Sequence, residues 1–231
     1  MTPDDTLRAL YPFIHDVARD ETALDAALLD SIGAKAAASI ETKRRFFADN
    51  AASVLAVARA IADSYQRGGR LLAMGNGGSS CDSAHIAVEF LHPVTAGRQA
   101  LPAINLAADT AMMSAVGNDV GYAHVFVRQV IAYGRPGDVL VGVSTSGNSA
   151  NLLAAFAKAR ELGITTIGLS GHDGGEMGRE GALDHCLTVA SDSIHRVQET
   201  QVAIYHVVWD LVHTLLANQR GKAPPTGGTG A

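Results

Sequence analysis

The sequence predicts an α/β protein in which a five-stranded parallel sheet is covered by helices on both faces, with helices added before the first strand. Three observations predict it. Short apolar runs rich in Val, Leu and Ile alternate with longer stretches of helical period. Gly- and Ser-rich turns follow the first and third of these runs, at the strand ends where parallel sheets bind ligands. A chain of 231 residues, 47% of them hydrophobic, can bury a substantial core.

Pro3 and Pro12 interrupt residues 1–20, which read as an N-terminal extension. From Thr22, Leu24, Leu28, Ile32 and Ala36 recur every four residues, so a helix is expected up to Phe46 and Phe47. Asp49 or Asn50 can cap a second helix carrying Val54, Leu55, Ala58, Ile61 and Tyr65, which stops at Gly68 and Gly69. The first strand begins at Arg70. Ala100 to Leu106 reads as the second, Asp138 to Val143 as the third, Ile164 to Leu169 as the fourth and Asp184 to Val189 as the fifth. Between them, helices are expected over Thr110 to Val116, from about Gly121 to Tyr133, and over Leu152 to Leu162. A last helix runs from about Ile194 to Leu216. The main domain therefore spans residues 21–217, and residues 218–231 form a Gly- and Pro-rich flexible tail. Crossovers of this kind are right-handed and leave both sheet faces covered.

Composition narrows the function. A net charge of −5 is unlike that of a nucleic-acid binder, which carries a basic face. No run approaches the roughly 18 apolar residues of a membrane span, and the start of the chain lacks the pattern of a signal peptide. Cys81 and Cys186 form no disulfide framework and no metal-binding pair, so the cytoplasm is the expected compartment.

The chemistry concentrates in MGNGGSSCDSAHIAVE, Met74 to Glu89. Its turn on Gly75, Gly77 and Gly78 leads into a helix start, a natural seat for a phosphate. A dinucleotide fingerprint would need a third glycine at Ser80, so no nucleotide cofactor is expected. STSGNS, Ser144 to Ser149, places four hydroxyls between a strand and a helix. A helix cap needs one such group, and a phosphate seat uses several. His85 and Glu89, four residues apart, share a helix face and can be a metal pair, an acid/base pair or locally bonded helix residues. Gln198 and His206, eight apart, share a face of the last helix, whose core side carries Val202, Tyr205, Val208 and Trp209. His195 and His213 read as surface or interface residues.

Taken together, GNGGSSCDSAHIAVE, AVGND, GDVLVGVSTSGNSAN and RVQETQVAIYH resemble the phosphoheptose isomerases of the sugar isomerase (SIS) domain superfamily, in register from about Ile32 to Leu216. That resemblance implies a flavodoxin-like three-layer sandwich, a homotetramer and the conversion of sedoheptulose 7-phosphate to D-glycero-D-manno-heptose 7-phosphate. It implies Glu89 as catalytic base and His206 as acid. Ser144, Thr145, Ser146 and Ser149 would hold the phosphate, while Asn76, Gly77, Gly78, Ser79, Asn118, Asp119, Glu89 and Gln198 would line the sugar site. It also implies zinc held by His85, Glu89, Gln198 and His206. The reaction calls for such groups, since moving a carbonyl between neighbouring carbons through an enediol needs a carboxylate to shuttle a proton and an acid to serve the oxygen.

Departures from the family pattern bear on sugar preference. Leu91-His92-Pro93 stands where many members have Thr-Gly-Arg, His195 stands where an acidic residue is common, and about twenty residues extend the N-terminus. A second reading is a non-catalytic SIS module that binds a sugar phosphate or a protein. Its known representatives lack the glutamate and the final histidine, both of which are present here.

Overall fold

A computed structural model describes residues 21–220. In chain order the elements are helix α1 (Glu21–Gln66), strand β1 (Leu71–Gly75), α2 (Gly78–Leu91), β2 (Ala103–Asn105), α3 (Thr110–Asp119), a 3-10 turn (Tyr122–His124), α4 (Val127–Tyr133), β3 (Val139–Val143), α5 (Ala150–Glu161), β4 (Thr165–Gly171), β5 (His185–Val189) and α6 (Ile194–Arg220). All four strand pairings are parallel, in the order β2-β1-β3-β4-β5. The five expected strands are all present, the second trimmed to three residues.

Alternation along the strands separates two cores. Leu71, Ala73, Val139, Val141 and Val143 pack with residues of the C-terminal half of α1, with α2 and with α6. Leu72, Met74 and Leu140 face the other way, onto α3, α4 and α5. The result is the expected three-layer α/β arrangement. β1 and β3 are buried along their whole length, as central strands of a sheet covered on both sides must be.

The two helices expected before β1 are one. Asn50 does not cap a new helix; its side-chain amide donates to the carbonyl of Phe46, 2.9 Å away and one turn back, a bond made inside a continuous helix. Burial of Phe46, Val54 and Val57 on either side outweighs the helix-propensity cost of Asp49 and Asn50, which is below about 0.7 kcal/mol each. α6 continues past Leu216 to Arg220.

The chain divides into two compact units, one ending at Ala38 and the other starting at Ser39. In the first, residues 21–38 are helical and expose Leu24, Leu28, Leu29 and Ile32. The sheet and every candidate site residue belong to the second. Residues 1–20 and 221–231, which hold the expected extension and most of the expected tail, lie outside the described residues. Among the described residues, no helix is long and apolar enough to cross a membrane.

Candidate active site

The strand order reverses around β1 and β3, which are neighbours, while β2 lies on the far side of β1. Such a switch point opens a crevice at the carboxyl ends of the strands. Gly75 pairs with Val143, so the glycine turn and the STSGNS loop leave the sheet side by side. The first turn closes tightly: a Cβ on Gly75 would lie 2.2 Å from the carbonyl oxygen of Ser79.

Asparagines tie the two loops together. Asn76 donates to Asn151 Oδ1 at 2.9 Å, and Asn151 donates back to Asn76 Oδ1 at 2.8 Å. The hydroxyl of Tyr122, just past α3, also donates to Asn76 Oδ1, at 3.2 Å. In the second loop Ser149 occupies the cap position of α5, yet its side chain makes no capping hydrogen bond. It pairs instead with Ser144, oxygen to oxygen, at 3.0 Å. Ser144 Oγ also accepts the N–H of Gly147 at 3.2 Å, and Ser146 Oγ that of Asn148 at 3.2 Å. Gly147 has φ 66°, and its Cα hydrogens face the carbonyl of Gly174, so no other residue fits there. A cap would need one hydroxyl aimed at α5; here those of Ser144, Ser146 and Ser149 are turned toward one another and the loop.

The second half of the site lies between α2 and α6. These helices meet at a constant offset of 120 residues: Gln198 lies over Gly78, Tyr205 bonds His85, and Trp209 bonds Glu89. They therefore run side by side in the same direction. A Cβ on Gly78 would come within 2.6 Å of the Gln198 amide nitrogen, so Gln198 sits against the start of α2. Seven residues further along α2, His85 Nε2 lies 3.2 Å from Glu89 Oε1, and His85 Nδ1 lies 2.8 Å from the Tyr205 hydroxyl. The imidazole of His206 packs edge-on against that of His85, with ring centroids 4.9 Å apart. Donor atoms of His85, Glu89 and His206 all fall within 4.8 Å of one another.

A family model described as the SIS domain matches residues 36–171. A phosphoheptose isomerase of a Roseiflexus species is 44% identical over 182 residues, which cover 78% of this chain and 90% of that protein. The chain belongs to the phosphoheptose isomerase family. Its counterpart in Clostridium acetobutylicum is 43% identical over 191 residues, covering 82% of this chain and 96% of the relative. The solved structure of the phosphoheptose isomerase of Neisseria gonorrhoeae superposes with a TM-score of 0.75 at 36% identity, over 81% of this chain and 99% of that one.

In this phosphoheptose isomerase-family chain the donor set suits a metal ion. Two imidazoles and a carboxylate are zinc ligands, and a tetrahedral ion with bonds of about 2.1 Å wants its ligand atoms roughly 3.4 Å apart. Burial, and secondarily the positive charge of a protonated His85, hold the pKa of His206 below its ordinary value of 6.5, while the Glu89 carboxylate pulls it up. Burial raises the pKa of Asp82, one turn before His85, and His85 lowers it. Tyr205 is raised by burial and then by Asp82 and Glu89, so its hydroxyl keeps its proton.

Asn118 and Asp119 close α3 and are exposed; the amide of Asn118 donates to Asp119 Oδ1 at 2.9 Å. Their link to the crevice is Tyr122, three residues on. Three residues were not singled out from the sequence. Asn151 is 3% exposed, and nothing local marks it as the partner of Asn76. Tyr205 and Trp209 stand at core spacing, yet each carries a polar atom that reaches α2. His213, read from the sequence as a surface or interface residue, is instead buried within the chain and packs between Phe90 and Trp209. Its spacing from Val208, Trp209 and Val212 on the core face of the last helix was the available signal.

Proposed function

We propose that the chain interconverts sedoheptulose 7-phosphate and D-glycero-D-manno-heptose 7-phosphate, and that it does so in the cytoplasm as a homotetramer. The observation that carries this reading is the meeting of Glu89 and His206, from helices far apart in sequence, in one cluster with His85. Beside it, a double loop rich in hydroxyls and helix-start amides fits a phosphate ester.

In the proposed reaction the phosphate sits on Ser144, Thr145, Ser146 and Ser149, and its binding energy orients the distant reacting carbons. Asn76, Gly77, Gly78, Ser79, Asn118, Asp119 and Gln198 line the sugar. Glu89 takes a proton from C1 of the ketose as the C1–C2 double bond forms. His206, neutral near pH 7, gives its ring proton to the C2 oxygen, completing the enediol. His206 then takes back a proton from the C1 hydroxyl as the C1 carbonyl forms, and Glu89 returns the carbon-bound proton to C2. Each group ends in the protonation state in which it began. His85, Glu89 and His206 would hold a zinc ion, which when bound would polarise the carbonyl as a Lewis acid, while Gln198, seated against Gly78 about two helical turns away, would serve the sugar.

Assembly finds support in Val88 and Leu91 of α2, apolar and about half exposed beside the site. The thiols of Cys81 and Cys186, both free, suit a reducing compartment. The test is to incubate purified protein with sedoheptulose 7-phosphate, with and without a chelator, and to follow the aldose by NMR. Product in the untreated sample supports the reading; none in either sample, even after zinc is added, refutes it.

A further inference from the structure

The hydroxyl of Tyr205 points at the ring nitrogen of His85 that faces away from Glu89. Tyr205 is 6% exposed, and its ring packs edge-on against both His85, at 5.3 Å, and His206, at 4.8 Å. A carboxylate only accepts hydrogen bonds, so the contact of His85 Nε2 with Glu89 Oε1 places the ring proton on Nε2. Nδ1 of a neutral imidazole is then an acceptor, and the Tyr205 O–H donates to it across 2.8 Å. With a metal ion held on the Glu89 side of the ring the requirement would reverse: Nε2 would serve as the ligand and the ring would carry its proton on Nδ1 instead, with no change in total charge. A hydroxyl serves both tautomers, because it can donate in one and accept in the other.

We propose that Tyr205 is a positioning residue for His85: its hydroxyl holds the imidazole in place through the change of tautomer that metal binding imposes. A backbone carbonyl in its place could only accept, and would favour the Nδ1–H form from the start. A carboxylate would add charge beside Asp82 and Glu89. Tyr205 adds neither bias. The part that concerns metal rests on the proposed function; the hydrogen bond to Nδ1 does not.

The test compares wild-type protein with Tyr205→Phe, which keeps the ring packing against both imidazoles and removes only the oxygen. Nitrogen-15 spectra of the histidines in metal-free protein should show His85 of the wild type protonated on Nε2, with the Nδ1 resonance moving in Tyr205→Phe and the signals of His206 holding. Zinc-loaded wild type should carry the proton on Nδ1. Competition with a chromophoric chelator should show zinc bound about 10–100-fold more weakly by the variant, the usual effect of losing a partner of a metal-bound histidine. An unmoved Nδ1 resonance overturns the assignment whatever the affinity does, and so does an Nδ1–H tautomer in metal-free wild type, which needs no variant to be seen. If the wild type binds no zinc, the metal part of the proposed function fails while the metal-free spectra still decide the role of Tyr205.

Discussion

Asn76 and Asn151 exchange two side-chain hydrogen bonds across the crevice, 2.9 and 2.8 Å long, and so lock the glycine turn after β1 to the first turn of α5. Asn76 belongs to the glycine turn, and Asn151 to the helix that the hydroxyl loop enters. In the proposed complex this uncharged pair of amides would fix the position of the sugar relative to the phosphate.

Replacing Asn151 by Ala should therefore harm both stability and binding. The Asn76 amide would lose its partner in a half-buried place, which costs about 1–3 kcal/mol. Urea denaturation should show that loss, and KM for sedoheptulose 7-phosphate should rise. Wild-type values for both would mean that the pair is incidental.

Thr145 has a half-exposed side chain in the hydroxyl loop and is the residue there whose oxygen is not used to hold the loop. Its removal in Thr145→Ala should raise KM tenfold or more, since a hydrogen bond to a charged group is worth about 1.5–3 kcal/mol. The melting temperature should hold. An unchanged KM would take this loop out of the phosphate site.

The proton affinity of His206 reports its neighbours. In metal-free protein its NMR titration midpoint should lie below 6.5, because burial and a protonated His85 disfavour its charged form. His85→Gln removes a positive neighbour and should move the midpoint up; Glu89→Gln removes a negative one and should move it down. A folded pKa below the unfolded one also sets the sign for stability. The contribution of this group is complete above about pH 6.5 and is lost as pH falls through the lowered folded value. A midpoint above 6.5, or shifts of the opposite sign, would mean that the three groups do not face one another in solution.

The sheet was legible from residues alone, because runs such as Val139–Val143 are apolar and short and lie between turn-forming segments, here Pro136-Gly137 and the Ser-rich loop. The unbroken course of α1 was not. Asp49 and Asn50 look like a cap, yet the helix runs on through them and Asn50 bonds back to Phe46. At the site, the spacing of His85 and Glu89 was visible as one helix face, but their meeting with His206 depends on how α2 and α6 pack. Family resemblance supplied that pairing in advance. Asn151 and Tyr205 escaped notice for the same physical reason: each partner lies 75 or 120 residues away, and no local pattern encodes it.

The central claim is that Glu89 moves the carbon-bound proton, and the most direct test is the turnover of Glu89→Gln on sedoheptulose 7-phosphate. The amide keeps the size of the side chain and cannot act as a base, so kcat should fall by at least about 10²–10⁴-fold, with the circular dichroism spectrum and oligomeric state unchanged. A folded Glu89→Gln protein that turns over the sugar at close to the wild-type rate would contradict the claim.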